Sequence, residues 1–220
     1  SRGLGDVYKR QILSHLFKYA NLKYMAFLGG VLNSENSNLI NEGNKYAIVE
    51  ADEYDRSFLQ LFPDYGCITS IDPDHLDIYG DHSEMVKSFT EFSKKITKKL
   101  VLAKELDLEG LTYAVEKEAT YYGSNIRVND GGYYFDLNTP DRIFKDVYLN
   151  LIGKHNLSNA IGAASLMHVA GLDIEKALPS LAYFKGVNRR MDIFKYNEKT
   201  IIDDYAHPVS YTHLRAHETS

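Results

Sequence analysis

The chain has 220 residues, 44% of them hydrophobic, a net charge of −5 and a single cysteine, Cys67. That length supports one well-filled core and part of a second unit, while the acidic balance excludes the electrostatic footprint of a nucleic-acid or polybasic membrane binder. One cysteine excludes an internal disulfide framework and fits a reducing compartment; with no apolar run of about 18 residues and no signal-peptide core, the expectation is a soluble, cytoplasmic protein.

Residues 1–11 (SRGLGDVYKRQ) carry no period that joins the segment behind them, and 208–220 (PVSYTHLRAHETS) lose all pattern. Both are read as translated adapter sequence and set aside from the fold, with few contacts expected. The spacing of Ile12, Leu13, Leu16, Phe17 and Ala20 predicts an amphipathic helix over 12–22. Tyr24 to Leu28 is a short strand stopping at Gly29-Gly30, where a backbone or ligand can come close, and Asn33 to Asn38 is a polar loop.

Tyr46 to Val49 then predicts a buried strand that runs straight into Glu50-Ala51-Asp52-Glu53-Tyr54-Asp55. Ser57 to Phe62 is a half-buried connection, and a second apolar strand over 66–71 ends in Asp72-Pro73-Asp74-His75. Ser83 is expected to cap a helix through about Lys98, with Glu84 in its first turn and lysines toward its end. Leu100 to Ala103 is a further buried strand.

Between 116 and 151 the helical period is lost. Strands are expected over 119–123, 126–129, 133–137 and 147–151, with Asp130-Gly131-Gly132 as a hairpin turn, which together make an antiparallel subsheet. Gly153-Lys154-His155-Asn156 introduces a helix from about Leu157 to Val169, with Asn156 as its cap, closed by Gly171 and followed by another over 173–183. Short strands over 193–196 and 200–202 begin a separate unit. The fold class expected is α/β, a mostly parallel sheet flanked by helices with an antiparallel subsheet attached.

In open α/β sheets ligands sit at the carboxyl ends of the strands, so the two acidic strand ends predict one crevice holding Glu50 and His75. A carboxylate oxygen and an imidazole nitrogen suit a divalent ion such as magnesium on a nucleotide. A metal-dependent hydrolase built on Glu50, Asp52 and His75 would need a third firm ligand, and no HxH or HExxH spacing occurs.

Five strings in order, VEADEYD, DPDHLDIYGD, GKHNLSNA, FKGVNRRMD and IIDDYAH, resemble the Mur ligases, ATP-dependent enzymes that add amino acids to the peptidoglycan precursor. Within that family the text is most similar to the branch joining L-alanine to UDP-N-acetylmuramate, with a murein tripeptide recycling ligase or a non-catalytic nucleotide-binding fragment as alternatives. The resemblance implies a central ATP-binding domain over 12–187 and the start of a C-terminal domain over 188–207. It implies that Glu50 and His75 bind Mg2+, that His155, Asn156 and Asn159 contact adenine, that Arg190 and Arg189 approach the γ-phosphate, and that Asp204 meets the ribose. The family's glycine-rich phosphate loop, which ends in Gly-Lys-Thr ahead of the first helix, does not occur in these residues; the chain is expected to begin just after it and to turn over poorly by itself.

Overall fold

The computed structural model describes residues 3–27, 39–51, 54–71, 82–129, 131–186, 192–196 and 199–203. The chain opens with helix α1 (Gly3–Tyr19), followed by strands β1 (Tyr24–Phe27), β2 (Leu39–Asn41) and β3 (Tyr46–Ile48). β1 is the centre of a three-stranded sheet, antiparallel to β2 and parallel to β3, with Met25 opposite both Asn41 and Ala47. A 3-10 turn over Tyr54–Gln60 leads to β4 (Tyr65–Ile68), helix α2 (His82–Lys95) and β5 (Lys99–Ala103). Strands β6 (Leu111–Val115), β7 (Tyr121–Asn129), β8 (Gly132–Asn138) and β9 (Ile143–Leu149) follow. The strands β4 to β9 lie side by side in chain order, parallel from β4 to β7 and antiparallel from β7 to β9. Helix α3 (Lys154–Val169), the short α4 (Ile174–Ala177) and a 3-10 turn over Leu178–Tyr183 precede a hairpin of β10 (Asp192–Tyr196) and β11 (Lys199–Asp203). The expected α/β class with an antiparallel subsheet is present, with both strand directions in each of the two larger sheets.

Parallel neighbours normally need a crossover of a dozen or so residues, yet β5, β6 and β7 follow one another across links at 104–110 and 116–120. Glu116 makes the second link possible. Its φ of 60° turns the chain back, and its amide N–H donates to the Gly123 carbonyl at 2.9 Å, beside the end of the strand just left. Thr112 and Thr120 exchange amide-to-hydroxyl bonds at 3.3 Å across the same pair.

Helix α3 packs on β4 to β7 and on α1. Leu157, Ala160, Ile161, Ala163, Ala164 and Met167 share one core with Val101, Tyr113, Phe135, Leu137 and Leu149 of the sheet and with Ile12 and Leu16 of α1. A helix covered on several sides must be apolar nearly all round, and the run Ala160-Ile161-Gly162-Ala163-Ala164 meets that need. A smaller cluster of Phe58, Ile68, Phe92, Leu100 and Leu102 fills the space between the first 3-10 turn, α2 and strands β4 and β5.

Helix α1 begins at Gly3 rather than near Ile12, and Arg10 and Gln11 are 8% and 0% exposed, which corrects the expectation that residues before 12 make few contacts. Lysine, arginine and glutamine are good helix formers, and extending a helix already nucleated by the apolar stripe behind them costs little. The segment 208–220 lies outside the described residues. Ser83 lies inside α2, which stops at Lys95; Lys98 instead pairs with Asp64 at 3.3 Å and stands over the Tyr65 ring. The strands expected at 119–123 and 126–129 are one strand, kinked where the register with β8 shifts between Ser124 and Arg127 and Asn125 takes a φ of 51°. Only α4 and a 3-10 turn occupy 173–183, with Asp173 accepting from the Lys176 amide at 3.4 Å.

Candidate functional site

β1 and β3 are parallel neighbours, so both end at the same edge of their sheet. Glu50 stands two residues past the end of β3, as the sequence predicts, and β1 closes on Phe27. Arg10, on the inward face of α1, bridges the two strand ends: its Nη1 donates to the Phe27 carbonyl at 2.8 Å and its Nη2 lies 2.5 Å from Glu50 Oε2. The Arg10 side chain is 9% exposed and that of Glu50 is 30% exposed, so the pair sits in a partly dry edge where charge pairing is stronger than in water. Lys9, the next residue on the helix, donates to Thr69 Oγ1 at 2.5 Å, one residue beyond the end of β4. Two consecutive cations therefore bind the carboxyl ends of β1, β3 and β4.

This arrangement brings Glu50 to the expected edge but gives its carboxylate a guanidinium partner. His75, which the sequence pairs with Glu50, lies outside the described residues, as do Arg189, Arg190 and Asp204. Among the described residues no group of three His, Cys, Asp or Glu side chains could hold a metal ion. With Glu50 Oε2 occupied, the described residues do not fit a magnesium ion.

The second part of the site is the start of α3. Gly153 has a φ of 96°, and a Cβ there would lie 2.7 Å from His155 Cε1, because the imidazole folds back over it. Both the backbone and the ring therefore require glycine in front of Lys154. Asn156 is not the cap: it lies within the first turn, and its Nδ2 donates to the Ile152 carbonyl at 2.7 Å. Its Oδ1 and the Nδ2 of Asn159 are buried without a hydrogen-bond partner.

His155 lines a cleft of about 330 Å³ together with Glu105, Tyr113, Lys117, Lys154 and Ser158, beside the ends of β5 and β6. Asn156 and Asn159 do not line it and belong to the buried side of the same turn. Lys154 pairs with Glu116 at 2.5 Å and Lys117 with Glu105 at 3.0 Å. The bond from Lys117 is the main reason the Glu105 carboxyl is held below its usual range. Two ammonium groups thus flank the cleft on exposed, exchangeable partners, which an anionic ligand can displace at small cost. Sequence reasoning did not single out Lys117 or Lys154, although Lys154 stands inside the Gly-Lys-His-Asn string. Nothing in the local pattern around Arg10 signalled its partner.

The model of the Mur ligase middle domain matches residues 31–167. The chain therefore belongs to the Mur ligase family and carries its middle domain. The UDP-N-acetylmuramate–L-alanine ligase of Flavobacterium johnsoniae is 42% identical over 206 residues, covering 92% of this chain and 46% of that protein. The enzyme of the same name from Christiangramia forsetii is 45% identical over 199 residues, covering 89% and 44%. Among solved structures, the UDP-N-acetylmuramate-alanine ligase MurC of Thermotoga maritima superposes with a TM-score of 0.80 at 28% identity, covering 94% of this chain and 49% of that one. The chain spans about half the length of the curated relatives it matches.

Proposed function

We propose that this chain is the nucleotide-holding part of an ATP-dependent ligase that joins L-alanine to UDP-N-acetylmuramate. The observation that carries the reading is the cleft at the start of α3, where His155, Lys154 and Lys117 meet beside the ends of β5 and β6. A polyphosphate suits its two displaceable lysines, and a flat ring suits its His155 wall. Asn156 and Asn159, three apart on one side of the first turn, offer an unmatched acceptor and an unmatched donor. The pair lies on the buried side of that turn and does not line the cleft, so the adenine contact that the family resemblance implies for it is not supplied by the cleft itself.

A carboxylate is a poor electrophile, so ATP would first phosphorylate the UDP-N-acetylmuramate carboxylate, and the amine of L-alanine would then attack the acyl phosphate. Such phosphoryl transfer asks a protein for positioning and charge neutralisation more than for covalent chemistry. The reading gives Arg190, with Arg189, to the γ-phosphate and Asp204 to the ribose. It gives magnesium to Glu50 and His75, a role Glu50 does not fill while Arg10 holds it.

The test is phosphate release by the full-length enzyme that contains this segment. Release should require ATP, UDP-N-acetylmuramate and L-alanine together. Release supported by murein tripeptide in place of L-alanine would assign the chain to the recycling branch, and release that needs no amino acid would overturn the ligase reading.

A further inference from the structure

We infer that the antiparallel subsheet carries a second ligand site, a cleft that takes a phosphate-like oxyanion on Arg127 and Lys145, where the carboxylate of Asp146 now stands in for it. The cleft holds about 400 Å³, is lined by Arg127, Lys145, Asp136, Asp146 and Asn125, and shares no lining residue with the one at α3. Two irregularities build it. β8 runs regularly from Tyr134 to Asn138, while β7 fits one extra residue between Ser124 and Arg127 and β9 one between Phe144 and Val147. Such bulges bend a strand and re-aim its side chains. Both fall beside Asp136, which is 7% exposed. Its carboxylate accepts from Asn125 Nδ2 at 2.7 Å and from the Asp146 amide at 2.9 Å, and Asn125 and Asp146 both take the left-handed backbone, with φ of 51° and 54°. Asp136 thus pins the two bulges against each other as a positioning residue, with both oxygens engaged inside the protein.

The bulge on β9 brings Lys145 and Asp146 to the same cleft as Arg127. Arg127 lies over the Tyr134 ring at 5.6 Å and donates to the Asp146 carboxylate. The two side chains are 58% and 69% exposed, so the pair is weak and exchanges readily. Lys145 has no ion-pair partner among the described residues. A planar guanidinium resting on a ring offers a fork that fits an oxyanion. The ammonium beside it adds a second positive charge, which favours a dianion such as phosphate over a single carboxylate. An incoming phosphate takes the place of Asp146 on Arg127 and gains Lys145, a contact that Asp146 does not make.

The experiment is a titration of the isotope-labelled chain with inorganic phosphate at constant ionic strength, followed by amide NMR shifts that separate this cleft from the one at α3. The amides of Arg127, Lys145 and Asp146 should move and saturate. Asp146→Asn, which suits the left-handed backbone, should bind phosphate about 2- to 5-fold more tightly, the scale of an exposed ion pair that no longer has to open. Arg127→Gln should weaken binding by about tenfold, the worth of one charge-assisted bond, and Lys145→Gln should weaken it in the same direction. If Arg127→Gln disturbs the register of β7, Arg127→Lys, which keeps the charge and loses the fork, carries the same comparison. No saturable shift at these amides, or unchanged affinity in the Arg127 variant, would overturn the inference. Shifts confined to Lys117 and Lys154 would overturn it while leaving the nucleotide reading of the α3 cleft in place. Acetate binding as tightly as phosphate would overturn the assignment to a phosphate-like ligand.

Discussion

Helices α1 and α3 pack against each other, α1 beside β3 of the three-stranded sheet and α3 on β4 to β7 of the six-stranded one, and they put different chemistry into the interior. α3 buries Leu157, Ala160, Ile161, Ala163, Ala164 and Met167, and its buried polar groups are confined to Asn156 and Asn159 at one end and Ser165, whose hydroxyl bonds back to the Ile161 carbonyl at 2.7 Å. α1 buries Ile12 and Leu16 but also Arg10, Gln11 and Ser14. Gln11 is fully buried, and neither atom of its amide has a hydrogen-bond partner. The difference is one of packing: α3 beyond its first turn is filled with apolar groups, whereas α1 also buries polar ones, of which Arg10 reaches two strand ends, Ser14 bonds the Tyr24 hydroxyl and Gln11 reaches nothing and costs stability.

The largest expected effect breaks the scaffold. Ile161→Ala removes a fully buried side chain from the centre of α3 and should lower the unfolding free energy in urea by about 2–5 kcal/mol. A loss below about 1 kcal/mol, within the range of ordinary surface substitutions, would show that α3 is not the spine of the core. Gln11→Met tests the other helix with the opposite sign. Replacing an unpartnered buried amide by an apolar chain of similar length should raise stability by about 1–2 kcal/mol, because an unsatisfied polar group costs that much or more. A destabilised Gln11→Met would mean that the amide is bonded in solution and that the contrast between the helices is false.

The parts of the fold that were legible in the sequence are those with strong local signals. Ile48 before Glu50, the glycine pair at 131–132 and Gly171 after Val169 each place an element within a residue or two of its observed position. β6 was not legible, since Leu111 to Val115 is short and its links to β5 and β7 are too brief for the helical crossover that parallel strands usually advertise. The start of α1 was missed because residues 3–11 show no apolar stripe, and helix propagation needs none. The site divides in the same way. Glu50 and His155 announce themselves through strand-end and glycine-turn patterns, while Arg10 reaches Glu50 across 40 positions of sequence, a pairing that only the packing of α1 on the sheet creates.

A smaller, pH-dependent effect sharpens the comparison at the far end of α1. His15 donates toward the Ser180 carbonyl at 2.8 Å, and its ring lies tilted against Tyr19 and edge-on to Phe184. Burial lowers its pKa from 6.5, with nearby Lys18 adding to the effect and the Ser180 bond opposing it. The unfolded state therefore protonates first. Stability contributed by the neutral ring is complete above pH 6.5 and is lost as pH falls from there through the lower folded value. Thermal melts between pH 7.5 and 5.5 should show a falling midpoint that His15→Phe, which keeps a ring and removes the proton, flattens. An unchanged slope in that variant would place the pH dependence elsewhere.

The smallest expected stability change belongs to Lys154, and it separates binding from folding at the one end of α3 that is not scaffold. Its side chain is 67% exposed and its partner Glu116 is 55% exposed, so the pair contributes about 0–1 kcal/mol and Lys154→Ala should leave the urea midpoint nearly unchanged. The same ammonium stands at the mouth of the cleft with His155 and Lys117. If a nucleotide phosphate takes it from Glu116, the substitution removes a charged contact to the ligand, and ATP affinity measured by calorimetry should fall by about 3- to 10-fold, the usual scale for one partly solvated charge-assisted bond. Glu116→Gln should act in the opposite direction, because it releases the lysine without removing it. Equal ATP binding by the unaltered chain and both variants would move the nucleotide away from this cleft, whatever the substitutions do to stability.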